Sequence, residues 1–185
     1  MRAEYKAAAA TALFLILLGA GSIAFGPRRD APRVQAAAVV HPRDLIVPIA
    51  SVALDALTDS WGAPRSGGRR HEGVDIMAAA GTPVRAAAAG TIAKFFTSKK
   101  GGITLYQFDE TGRLVLYYAH LKGYEAGLKE GARVAQGQVI GYVGSTGNAT
   151  VPHLHFEVLR AKAEHQWWRG HAVNPYLALK AGRVG

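Results

Sequence analysis

Cysteine is absent from this chain of 185 residues. Its absence excludes disulfides, thiolate metal sites and a cysteine nucleophile, and removes the usual attachment residue of a lipoprotein anchor. It leaves the redox compartment open. Any bound metal must take nitrogen and oxygen ligands. Acidic residues are also scarce: 13 Asp and Glu face 22 Lys and Arg, for a net charge of +9. Such a balance suits a polyanionic neighbour (nucleic acid, an anionic membrane face or an acidic wall polymer), and it equally serves solubility. No nucleic-acid-binding motif accompanies the charge, so no nucleic-acid partner is expected. Between residues 60 and 160 no stretch sustains a helical period. What remains is a chain that is 49% apolar, too hydrophobic to be disordered and long enough for one domain with a core of its own.

The uncharged run over residues 7–25 follows Arg2 and Lys6 and ends at Gly26-Pro27-Arg28-Arg29. At helical rise it spans about 28 Å, close to the thickness of a bilayer core. Residues 1–25 are therefore expected to be a signal anchor forming an N-terminal transmembrane helix, with a cleaved signal peptide as the competing reading. The run is long for a signal peptide, and no clear A-x-A cleavage site ends it. Residues 26–45, with Pro27, Pro32 and Pro42, read as a linker. The folded domain is placed at 46–180, opening within the apolar run Leu45 to Ile49.

Inside that domain, β-rich segments alternate with glycine turns. Strands are expected at Thr91–Phe96, Ile103–Phe108 and Leu114–Tyr118, the last two joined by the turn Asp109-Glu110-Thr111-Gly112. Gly81-x-x-Val84 and Gly131-x-x-Val134 echo each other and suggest two related β-turn-β units, and Asn174-Pro175-Tyr176-Leu177 suggests a short closing helix. The fold class is thus mainly β.

Five residues in three motifs carry the chemistry: His71 and Asp75 in H-E-G-V-D, His120 in Y-Y-A-H-L, and His153 and His155 in P-H-L-H-F. Together they can supply a three-ligand metal site and two spare imidazoles. His153 and His155 form the strongest pair. On a strand both rings share a face while Leu154, Phe156 and Val158 take the other. His71 and Asp75 would lie about 13 Å apart on a straight strand, so the chain must bend between them, and Gly73 permits a bend. The neighbouring Glu72 hints at H-E-x-x-H, but residue 75 is Asp, and that reading fails. By itself, His-x-x-x-Asp is a weak signal, more often a hydrogen-bonded surface pair than a metal site. His120 is expected just beyond the Leu114–Tyr118 strand, sharing a face with Tyr118; alone it would read as a core histidine. His41, His165 and His171 are expected to bind nothing.

The ordered set H-E-G-V-D-I, Y-Y-A-H-L, G-Q-V-I-G-Y-V-G-S-T-G-N-A and P-H-L-H-F-E-V resembles the LytM/lysostaphin family of zinc metallopeptidases over roughly residues 46–178. Trp61-Gly62, Arg69 and Asn174-Pro175 extend the likeness. The resemblance implies an antiparallel β-sheet or sandwich with short helices. It implies one zinc per chain, held by His71, Asp75 and His155, with His120 and His153 catalytic. The implied substrate is a peptide cross-link of bacterial peptidoglycan, cut by a metal-activated water on the outer, periplasmic side of the membrane. One departure touches loop shape: Thr150-Val151-Pro152 stands where the family has T-G-x-H ahead of H-x-H. Two other functions compete. Some family members that have lost ligands activate a separate wall amidase, but here all three ligand positions are filled. A biotinyl- or lipoyl-like carrier would need a modifiable lysine at a hairpin tip, and Lys94, Lys99 and Lys100 lack a suitable surrounding motif.

Overall fold

The computed structural model describes residues 45–163, 166–182 and 184. Among these, nine strands join in one antiparallel sheet: β1 (Val74–Met77), β2 (Pro83–Arg85), β3 (Gly90–Ser98), β4 (Gly102–Asp109), β5 (Leu114–Tyr124), β6 (Arg133–Val134), β7 (Val139–Val143), β8 (His153–Ala161) and β9 (Gly170–Val173). The mainly β expectation holds, and the sheet resembles the antiparallel sheet expected from the motifs. Among the described residues no helix is long and apolar enough to cross a membrane. The expected anchor over residues 7–25 lies outside the described residues, as do His41 and His165.

The path through the sheet runs β1-β8-β5-β4-β3-β6, with β9 on β8 and β2 on β7. Strand β5 is the hub. Leu114 to Ala119 pair with β8, whereas Leu121 to Tyr124 pair with β7. Between these stretches the β4–β5 register slips, because Ile103 faces Leu121 while Leu105 faces Tyr118. One extra residue in β5 absorbs the mismatch, and a bulge of this kind bends its strand and re-aims a side chain. His120 sits in it with φ +61°, and it is the non-glycine residue of positive φ among those described.

The glycine echo has a structural counterpart. Gly81 and Gly131 both take positive φ ahead of β2 and β6. The two units interleave, since β2 pairs with β7 and β3 with β6.

One face of β8 supplies the core: Leu154, Phe156 and Val158 are fully buried. Each such side chain contributes about 1.5–3 kcal/mol by leaving water. Leu105, Leu116, Tyr118 and Ile140 pack into the same cluster. Tyr118 brings a hydroxyl into this core, and it is fully satisfied. The hydroxyl accepts from the Ala87 N–H at 2.9 Å and donates to Gln107 Oε1 at 2.9 Å; Gln107 Nε2 donates to the Ala88 carbonyl at 2.7 Å. Burial raises the Tyr118 pKa above its ordinary range, and the hydrogen bond from the Ala87 amide offsets only part of that. Tyr118→Phe leaves a buried amide and a buried amide oxygen unpaired. We expect it to lower unfolding free energy by about 1–3 kcal/mol in a urea titration.

The expected closing helix is α1 (Pro175–Ala181). Asn174 caps it, its side-chain oxygen accepting from the Tyr176 and Leu177 amides. Pro175 opens it without losing a bond, and Gly182 ends it in the left-handed region. The Gly182 carbonyl accepts from the Leu45 amide at 2.6 Å, so the opening and closing segments meet.

Candidate metal centre and cleft

On β8 the alternation that buries Leu154 and Phe156 leaves His153, His155 and Glu157 half-buried on the opposite face. Asp75 on β1 is the direct cross-strand partner of His155. His71 precedes β1, and a bend at Gly73 returns its ring to the same place. Gly73 serves closeness there, not a positive φ. A Cβ at that position would lie 2.7 Å from His155 Cε1 and 2.7 Å from the Phe156 carbonyl oxygen. The segment ahead of His71 holds it on both sides, because its amide donates to Ala63 O and its carbonyl accepts from Gly62 N.

Three side-chain atoms converge. His71 Nε2 and His155 Nδ1 are 2.9 Å apart, and Asp75 Oδ1 lies 3.1 Å from the first and 2.9 Å from the second. Two nitrogens and an oxygen around a tetrahedral ion at about 2.0–2.1 Å would sit about 3.3 Å apart. The donor set and its spacing therefore fit zinc. Taking one ligand atom from each residue, the three lie within 4.8 Å of one another.

The far end of each group is tied. The Ser60 carbonyl accepts from His71 Nδ1 at 2.8 Å, which puts the proton there and leaves the Nε2 lone pair facing inward. Arg65 Nη2 holds Asp75 Oδ2 at 2.5 Å, leaving Oδ1 for the centre. Glu157 Oε1 holds His155 Nε2 at 2.7 Å. This is the carboxylate–histidine arrangement that orients metal-binding imidazoles elsewhere.

Electrostatics follow from the geometry. Burial opposes a charge on Asp75, but the hydrogen bond from His155, with the His71 ring beside it, outweighs it and holds the carboxyl well below its usual range. Burial likewise opposes protonation of His155, yet the Asp75 and Glu157 carboxylates win and raise its pKa to about 9. The metal-free centre thus carries an imidazolium at neutral pH, and a bound cation would displace that proton.

The other two histidines stand beside the trio. The His120 ring is 4.8 Å from that of His153 and 5.9 Å from that of His155. His120 Nδ1 donates to the Thr146 carbonyl and His153 Nδ1 to the Val151 carbonyl, so Nε2 of each is the nitrogen left for the cleft. His153 Nε2 lies 3.8 Å from Asp75 Oδ1. Burial lowers the His120 pKa below 6.5, only partly offset by the Thr146 carbonyl.

The sequence expectation that Tyr118 and His120 share a face is wrong. Tyr118 points into the core, while Tyr117 and Ala119 border the cleft. The bulge adds a residue, so His120 returns to the cleft side out of alternation. Its position is buttressed by the loop after β7, where Thr146 Oγ1 accepts from Ile103 N and donates to Leu121 O. His171, expected to bind nothing, is exposed on β9 opposite Arg160 and belongs to no group of three potential ligands among the described residues.

The resulting cleft encloses about 370 Å³ and is also lined by Arg65, Arg69, Arg70 and Lys100. Sequence reasoning missed Arg65, Glu157 and Ser60. Glu157 was within reach, since continuing the H-x-H alternation by two residues arrives at it.

Residues 69–175 match peptidase family M23, and the chain belongs to that family. Its relatives are peptidoglycan endopeptidases of the LytM/lysostaphin type. An L-Ala–D-Glu endopeptidase of Bacillus subtilis (strain 168) is 36% identical over 133 residues, covering 66% of this chain and 39% of that protein. The chain therefore spans about two fifths of that relative's length. The catalytic domain of the antimicrobial peptidase lysostaphin from Staphylococcus simulans superposes with a TM-score of 0.59 at 33% identity, covering 69% of this chain and 95% of that one. A zinc-containing peptidase from Vibrio cholerae superposes at 0.52 with 29% identity, covering 66% and 34%.

Proposed function

We propose that this chain is a zinc metalloendopeptidase that hydrolyses peptide cross-links of bacterial peptidoglycan. The observation that carries the reading is the convergence of His71 Nε2, Asp75 Oδ1 and His155 Nδ1, each with its outer end tied, beside two further imidazoles. These three atoms would hold one zinc per chain. Bound there, zinc supplies Lewis acidity, which polarises a carbonyl and brings the pKa of water toward neutrality.

The chain's own groups do the rest. Arg65, Glu157 and the Ser60 carbonyl fix the lone pairs of the trio. His120, neutral at pH 7 because burial disfavours its charge, is suited to take the proton of the attacking water at Nε2. His153 and His120 together stabilise the developing charge on the carbonyl oxygen and return a proton to the departing amine. No serine or cysteine nucleophile is required.

Residues 7–25 are proposed to anchor the chain in the cytoplasmic membrane, with the peptidase domain on the periplasmic side where its substrate lies. Their uncharged apolar run supports this.

Incubation of the purified protein with cross-linked muropeptides tests the function. Product masses should show cleavage within the peptide bridge, loss of cleavage on chelation, and recovery with zinc. Stoichiometric zinc without turnover would instead make the chain a non-hydrolytic module, such as an activator of a separate amidase, and would overturn the proposal.

A further inference from the structure

An aromatic track leaves the cleft and ends on open surface. It begins at Tyr117, whose ring stands edge-on to His155 at 6.1 Å. Tyr117 is in register with Tyr106 across β4 and β5, and their rings are 4.6 Å apart. The connection between β8 and β9 lays Trp167 over Tyr106 at 4.8 Å and beside Phe96 at 6.1 Å. Trp168 follows, edge-on to Trp167 at 5.5 Å. Trp168 is 59% exposed and Phe96 43% exposed.

Nothing in the proposed hydrolysis uses these rings. Exposed aromatic surface continuous with a polar cleft marks a binding groove more often than a packing defect. We propose that Trp168, with Phe96 and Trp167, is a subsite that stacks a hexosamine ring of the glycan strand to which the scissile peptide is attached. The inference rests on peptidoglycan being the substrate and names the part of it held outside the cleft.

The chemistry of the two halves of that polymer decides the occupant. Its peptides are built of alanyl, glycyl, acidic and diamino-acid residues, whose methyl groups and charges leave an indole face uncovered. A pyranose ring presents a flat array of C–H groups about the size of an indole, with hydroxyl and acetamido groups at its edge for Gln166 and the exposed Arg169, which flank the tryptophan pair. Reach agrees as well. A stem of about five extended residues covers roughly 17 Å at ~3.3 Å per residue, and the four ring-to-ring steps of 4.6 to 6.1 Å from His155 to Trp168 bound the distance to be covered at about 21 Å.

The test separates binding from hydrolysis. Full-length protein carrying His155→Ala is titrated with peptide-free glycan strands, with glycan-free cross-linked peptide and with anionic phospholipid vesicles, and tryptophan fluorescence is followed. We expect saturable binding of the glycan strands, weakened at least tenfold by Trp168→Ala and restored to within about threefold by Trp168→Tyr. In the active protein, Trp168→Ala should raise KM for intact sacculi about tenfold while leaving cleavage of glycan-free peptide unchanged. Glycan binding indifferent to Trp168→Ala, or a Trp168-dependent response to the peptide or the vesicles in place of the glycan, would overturn the subsite. Glycan binding through Trp168 in a protein that never hydrolyses would leave the subsite standing and remove the endopeptidase.

Discussion

His155→Ala is expected to abolish both zinc binding and hydrolysis, with activity falling about 10³-fold or more. The loss of rate follows from the loss of Lewis acidity, worth several kcal/mol at about 1.4 kcal/mol per decade. His155 is the sharpest place to cut because it stands between both carboxylates, Asp75 Oδ1 at 2.9 Å and Glu157 Oε1 at 2.7 Å. Metal analysis after dialysis should give about one zinc per wild-type chain and none in the variant. A thermal scan provides an independent reading. Zinc at about 1,000 times its Kd adds roughly 4 kcal/mol to the folded state, which for a domain of this size is on the order of 10 °C in Tm. Wild type should show that increment and His155→Ala should not. The pH dependence has a definite sign. The metal-free protein holds His155 protonated up to about pH 9, so the stability drawn from that imidazolium is complete below 6.5 and is lost as pH rises through about 9. Zinc must displace the same proton, and its affinity should climb over that window. A variant that kept full zinc occupancy and full turnover would remove His155 from the centre.

Legibility from sequence followed the range of the interactions. The pair His153 and His155 could be read because a strand's period of two is local, and Leu154 and Phe156 declare the buried face. The cap at Asn174 and the turn at Asp109–Gly112 are equally local. His71 and Asp75 were readable as a pair but not as neighbours of His155, because their meeting depends on β1 pairing with β8 eighty residues later. Arg65 carries no signal of its own. Ten positions from Asp75, it reaches the carboxylate only after the chain has turned through residues 66–70. The β2–β7 and β3–β6 pairings are long-range choices that the glycine echo hinted at but could not assign. His120 was placed on the wrong face for a definite reason: Ala119-His120 contains no glycine to announce a bulge, and alternation was carried one residue too far. The rule failed at the residue proposed to handle protons. Backbone strain gathers at such sites, where the surrounding structure holds a conformation the residue would not choose.

That strain makes the second large effect separable from the first. His120→Ala is expected to keep about one zinc per chain, because His120 is not one of the three converging groups, yet to lower kcat by about 10²–10³, the range for a lost proton-transfer group. The wild-type rate should fall as pH drops through the His120 pKa, since only the neutral ring accepts a proton. Burial sets that pKa below 6.5, and a bound cation beside the ring pushes it the same way. The acid limb of kcat/KM therefore belongs below pH 6.5 and should be missing from the residual activity of His120→Ala. His120→Gly adds a control on folding. With φ at +61° the backbone here suits glycine, so His120→Gly should be more stable than His120→Ala by about 1 kcal/mol, while remaining as inactive. Stability would then differ between the two variants while activity stayed equally low in both, which a merely structural histidine would not produce. Loss of zinc in either variant would make His120 part of the metal centre and overturn this separation, and an unchanged acid limb would assign the proton transfer to another group such as His153.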